Sequence, residues 1–160
     1  MERTRRAVTV DGRPPYPPDI TCAPRWDNHD YLELGALPTA PGSARGHAGN
    51  VLRDWRLFAF IEAIQMVVSE LVTNSVTATR AISWPQSVPP VRLWLLADPA
   101  SVLVAAWDAA PGLPRCREAR GDDEDGRGLA IVAALSARWG CYRCAASDGG
   151  KVTWAHIDSP

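Results

Sequence analysis

Residues 60–80 read Phe-Ile-Glu-Ala-Ile-Gln-Met-Val-Val-Ser-Glu-Leu-Val-Thr-Asn-Ser-Val-Thr-Ala-Thr-Arg. Apolar residues return at helical spacing: Ile61, Ile64, Val68, Leu71, Val72 and the Ser75/Val76 pair fall on or beside one stripe. Glu70 and Asn74 are four residues apart, so they stand one above the other on a helix face. A carboxylate and a carboxamide so placed can hold a water and a hard cation together. The carboxylate can orient or deprotonate a hydroxyl, and the amide oxygen is a neutral ligand for Mg²⁺. Such a pair is more often a solvated helix face, so its meaning depends on the rest of the chain.

The chain has 160 residues, enough for one domain with its own core. Apolar residues make up 46% and charged residues 22%, the balance of an ordinary globular protein. A net charge of −1 supplies no basic field for direct nucleic-acid binding or for an anionic membrane surface. Met1–Arg6 is basic, but no apolar segment follows it as in a secretory signal. No apolar run in the sequence approaches bilayer length, and the expectation is a cytoplasmic protein with no membrane contact. Cys22, Cys116, Cys141 and Cys144 are then thiols. Cys141 and Cys144 form one C-x-x-C without a second ligand pair, which points to structural cysteines rather than zinc.

Residues 1–28 hold five of the fourteen prolines and little periodicity, which predicts an extended or disordered arm before a domain over 29–160. Tyr31–Ala36 suits a first strand, broken by Pro38, Pro41 and Gly42. Ser43 then suits an N-cap for a helix over Ala44–Trp55. The helix of residues 60–80 ends before Trp84-Pro85. Val91–Ala97 and Ser101–Trp107 form a hairpin across Asp98-Pro99-Ala100. Asp108-Ala-Ala-Pro-Gly112 leaves that hairpin as a turn that fixes a carboxylate beside exposed backbone. Leu113–Asp125 has the polar composition of a mobile loop. Gly126-Arg127-Gly128-Leu129 reads as a glycine-rich turn opening a helix over Ala130–Arg138, a place where free amides attract anions. Gly140 ends that helix. Cys141–Ala146 and Lys151–Ile157 form a closing hairpin over Ser147-Asp-Gly-Gly150. The order β, α, α, β, β, loop, α, β, β predicts an α+β two-layer sandwich, one mostly antiparallel sheet with helices on one face.

Other phosphate motifs fail. Gly121 and Gly126 have P-loop spacing, but Arg127-Gly128 stands where Lys-Ser/Thr is required. Gly126-x-Gly128 lacks the third glycine of a dinucleotide fingerprint. His29, His47 and His156 have no context for a triad or a metal cluster.

Three signals remain in one order: Glu70 and Asn74 on a helix, Asp108-x-x-Pro-Gly after a strand, and Gly-Arg-Gly-Leu at a helix start. In this the chain resembles the histidine-kinase-like (GHKL) ATPase superfamily. In particular it looks like the actinobacterial branch of small ATP-binding proteins similar to anti-sigma factor serine kinases. Glu70-Leu-Val-Thr-Asn-Ser resembles the N box, Asp108-Ala-Ala-Pro-Gly the first glycine box, and Gly126-Arg-Gly-Leu-Ala-Ile-Val the second. The resemblance covers about residues 30–157. It implies an ATP site in which Glu70 is the base or water-orienting carboxylate and Asn74 holds Mg²⁺. Asp108 would accept from the adenine amino group, and Gly112 would make room for the base. Gly126, Arg127, Gly128 and Leu129 would cover the phosphates, and Thr153 would support the adenine–Asp108 contact. The chain departs from the pattern at Ala78, where the N box usually continues to a polar residue. It departs again at Lys151, where Thr is common, and in a short acidic lid, Pro114–Asp125.

The resemblance implies an ATP- and Mg²⁺-dependent protein serine/threonine kinase that phosphorylates an anti-sigma factor antagonist on serine, sequesters a sigma factor, or does both, as a homodimer. The departures support an alternative, a catalytically weak or inactive protein-interaction module of the same fold.

Overall fold

The computed structural model describes residues 26–85, 88–112, 124–144 and 149–160. The arm over 1–28, except its last three residues, and the lid up to residue 123 lie outside them. The elements are β1 (Asn28–Gly35), α1 (Ala40–Asp54), a 3₁₀ turn (Phe58–Phe60), α2 (Ile61–Thr79), β2 (Pro90–Ala97), β3 (Ser101–Asp108), α3 (Glu124–Leu135), β4 (Arg138–Arg143) and β5 (Lys151–Asp158). The five strands form one antiparallel sheet in the order β1-β2-β3-β5-β4. The fold is therefore α+β, with a five-stranded antiparallel sheet and three α-helices among the described residues, as the element order predicts.

Strand alternation divides the sheet into two faces. Leu32, Val91, Leu93, Leu95, Val102, Val104, Ala106, Ala155 and Ile157 share one core with α1 and α2. The stripe of α2 fills it: Ile64, Val67, Val68, Leu71 and Val72 are fully buried. At about 25 cal/mol per Å² of apolar surface removed from water, burying this stripe contributes favourably to the stability of the layer. Phe58–Thr79 is also long and apolar enough to cross a bilayer, with a mean hydropathy of 1.2, contrary to the sequence expectation. Its apolar stripe faces the sheet instead. The opposite face of the sheet gathers Trp94, Trp107 and Val152, with Tyr31, Tyr142 and Trp154 packed beside them, and Trp26 with Leu96 and Leu103. Four of the seven tryptophans lie there, which is where the unusual tryptophan content is used.

Several boundaries differ from the sequence expectation. α1 begins at Ala40, with Pro41 and Gly42 inside its first turn. A proline in the first turn gives up an amide that has no partner in the helix anyway, so Pro41 starts the helix rather than breaking the chain before it. β1 begins at Asn28, three residues before Tyr31, because Asn28 pairs with Ala97. α2 stops at Thr79, whose hydroxyl turns back to the carbonyls of Ser75 (3.0 Å) and Val76 (2.9 Å).

The largest correction concerns α3. It runs over Glu124–Leu135, not Ala130–Arg138, so Gly126-Arg127-Gly128 lies within its first two turns and not in a turn before it. At the other end, Trp139 and Gly140 belong to β4, not to the helix and its cap. Trp139 pairs with Ala155, and Gly140 lies opposite Trp154. A Cβ at Gly140 would stand 3.2 Å from the Trp154 ring. That glycine makes room for an indole; it does not end a helix.

Candidate functional site

Helix α2 carries the polar side chains that gather the site. Glu70 and Asn74 are half-buried on the side facing α3, while Ser75, one residue on, is buried. Gly128 of α3 lies against the first two. A Cβ at Gly128 would stand 2.5 Å from Glu70 Oε2 and 3.6 Å from Asn74 Oδ1. Only a residue without a side chain allows α3 to approach the carboxylate this closely. With α3 beginning at Glu124, Gly126 falls among the first-turn amides that lack a partner within the helix. Gly128 lies beyond them, so its contribution is close approach. Arg127 is exposed, and Leu129 is buried with Val132.

Ser75 connects this corner to the end of β3. Asp108 is 1% exposed. Its Oδ1 accepts from Lys151 Nζ at 2.6 Å and from the Ala110 amide at 3.0 Å, and the Ser75 hydroxyl also donates to its carboxylate. Burial pushes the Asp108 carboxyl above its ordinary range. The Lys151 ammonium, the Ala110 amide and the Ser75 hydroxyl oppose that shift without cancelling it. Lys151 is itself 4% exposed, so the two form an ion pair inside the protein.

The glycines before Lys151 explain how an ammonium reaches this place. Gly149 and Gly150 have φ values of 60° and 77°, which suit glycine. A Cβ at Gly150 would collide with the Asp108 carbonyl oxygen and lie 2.9 Å from the Trp107 ring. The Trp107 indole N–H donates to the Gly149 carbonyl at 3.0 Å. β5 thereby starts in register with the end of β3, and Lys151 pairs with Asp108.

Glu70, Asn74 and Gly128 are thus brought together, and Asp108 reaches the same helix through Ser75. Gly112 follows Asp108 by four residues, and a Cβ there would meet nothing within 4 Å. Thr153 is buried on the same sheet face as Asp108 but opposite Ala106; the β5 residue that bonds Asp108 is Lys151, two positions earlier. The acidic lid falls outside the described residues. Sequence reasoning missed the direct roles of Ser75 and Lys151. Ser75 stands in the quoted stretch, one step from Asn74, on the apolar stripe and at the end of the Glu70–Ser75 motif, where nothing local marks it as a donor to Asp108. Lys151 was visible as a departure, but its partner depends on strand register.

Among the described residues no group of three or more His, Cys, Asp or Glu is placed to hold a metal ion. Cys141 and Cys144 are half-buried, in and just after β4. His47 Nε2 lies 2.5 Å from Asp30 Oδ2 and ties α1 to β1. A mono-carboxylate and amide pair such as Glu70 and Asn74 suits Mg²⁺ only when phosphates and waters supply the remaining ligands. No model of a known protein family matches this chain, and no curated protein matches it.

Proposed function

We propose that this chain is an ATP-binding regulatory protein of the histidine-kinase-like ATPase type, similar to anti-sigma factor serine kinases. One observation carries the reading. Three motifs spread along the chain from Glu70 to Gly128 end on one helix: Gly128 on Glu70 and Asn74, and Asp108 on Ser75. That is the convergence a nucleotide site of this type requires. The α+β architecture is compatible with it, though fold alone does not fix function.

In this reading Asn74 contributes an oxygen ligand to Mg²⁺ bound with the nucleotide. When bound there, the ion would supply charge neutralisation for the phosphates. Glu70 orients a serine hydroxyl of a protein substrate and accepts its proton. Gly126 and Gly128 let α3 lie close to the phosphates, with Arg127 at its exposed edge. The partners are an anti-sigma factor antagonist-like protein, a sigma factor or both, in the cytoplasm, with the chain acting as a homodimer. The test is transfer of labelled γ-phosphate from ATP and Mg²⁺ to a serine of the cognate antagonist. Transfer should be lost in Glu70→Gln, and absence of labelling with a verified partner removes the kinase reading.

A second reading, a protein-interaction module with weak nucleotide binding, is favoured by the burial of Asp108 against Lys151. Calorimetry with ATP and Mg²⁺ separates the two: binding without transfer supports the module.

A further inference from the structure

We infer that Lys151 sets the nucleotide affinity and base selectivity of this site, by holding the place on Asp108 that a base amino group would need. The inference rests on the nucleotide reading above and alters it at one point: in the native protein Asp108 does not read the base.

A carboxylate offers about four lone-pair positions. Asp108 gives three of its acceptor interactions to protein groups, the Lys151 ammonium, the Ala110 amide and the Ser75 hydroxyl. At 1% exposure, little of its surface is open to a ligand. An exocyclic amino group is a neutral donor, whereas Lys151 brings a full positive charge to the same carboxylate, an attraction the amino group does not match. Displacing Lys151 would also leave an ammonium buried without its partner, the costly arrangement for any ion pair. The base amino group therefore loses the competition.

The lysine is held there by the backbone. Gly149 and Gly150 turn the chain through left-handed φ values, Trp107 fastens the turn through the Gly149 carbonyl, and the β3–β5 register sets Lys151 against Asp108. A ligand must meet this pair as a closed unit. Purines with a 6-amino or a 6-oxo group should then look alike to the protein, since the one acceptor position left on Asp108 is buried with it.

The experiment is calorimetric titration of the full chain with Mg²⁺-ATP and Mg²⁺-ITP, which differ at the 6-position of the base. The native protein should bind both weakly and within about threefold of each other, because the carboxylate hydrogen bond that discriminates is not available. Lys151→Ala and Lys151→Thr should each bind ATP at least about tenfold more tightly than the native protein, and should prefer ATP to ITP by about tenfold. Thermal melts establish that each variant is folded at the titration temperature. A native protein that already prefers ATP to ITP tenfold overturns the inference with no variant needed, and leaves the nucleotide reading intact. Folded variants with unchanged ATP affinity overturn it as well. If native protein and variants bind neither nucleotide, the inference and the nucleotide reading fall together.

Discussion

Gly128 of α3 rests on the carboxylate of Glu70 in α2, at a distance that leaves no space for even a methyl group. The two helices are therefore registered by a residue that lacks a side chain and by one that carries charge.

Alanine at Gly128 tests the seam. Helix propensity alone would make Gly→Ala inside α3 stabilising by about 1 kcal/mol. The added methyl would meet Glu70 Oε2 at 2.5 Å, so this half-buried carboxylate, the free end of a flexible side chain, must turn aside. We expect Gly128→Ala to gain less than that about 1 kcal/mol in urea denaturation, the displaced carboxylate offsetting part of it. Gly112→Ala, where a Cβ meets nothing, should stay within about 0.5 kcal/mol. A Gly128→Ala protein that gained the full amount would show that Glu70 turns aside without cost.

The Asp108–Lys151 pair predicts a strongly non-additive cycle. Lys151→Met leaves a carboxylate buried with neutral donors only, and should cost about 3–5 kcal/mol. Asp108→Asn strands the ammonium and should cost a similar amount. The double variant removes both charges and should recover most of the loss, since an apolar or neutral replacement of a buried pair is often no less stable. Additive losses in the double variant, measured by denaturant titration, would contradict a direct pair.

The same carboxyl gives a pH signature. Burial holds the Asp108 pKa above its ordinary 3.8 despite its three donors. The folded protein therefore binds this proton more tightly than the unfolded chain does. The stability contribution of such a group is complete below the unfolded pKa and is lost as pH rises through the folded pKa. The Asp108→Asn/Lys151→Met protein lacks the group and keeps every other carboxyl. Its stability minus that of the native protein should therefore increase as pH rises from about 4, then level off once Asp108 is ionised in the native state. A difference that does not change with pH, or that shrinks, would falsify the assigned direction.

Local periodicity made much of this fold legible. α2 announces itself because its apolar stripe has one period over five turns, and β2 and β3 because their apolar runs flank Asp98-Pro99-Ala100. Asp98 confirms that turn directly, its Oδ1 accepting from the amides of Ala100 and Ser101 at 2.8 Å. The misreadings came from glycine and proline, whose meaning depends on what approaches them. Pro41 begins a helix, Gly128 admits Glu70, and Gly140 admits Trp154. None of these partners is a sequence neighbour. The Asp108–Lys151 contact was hidden for the same reason, since it spans 43 positions and exists only through the β3–β5 register.

Arg56 offers a test of backbone strain remote from the ion pair. It is the only non-glycine residue with positive φ among the described residues, at 60°. It ends α1 in a Schellman arrangement: the Arg56 amide donates to the Arg53 carbonyl at 3.0 Å, and the Leu57 amide reaches back to Leu52 at 2.9 Å. Glycine is the usual occupant of that position because a Cβ there costs about 1–2 kcal/mol. Arg56→Gly relieves this cost while adding about 0.5–1 kcal/mol of chain entropy to be lost on folding. The net expectation is a gain of about 0.5–1 kcal/mol in denaturant unfolding, with no gain for Arg56→Ala, which keeps the Cβ. Should Arg56→Gly lose stability while Arg56→Ala does not, the arginine side chain, and not its backbone angle, would be what the α1–α2 connection depends on.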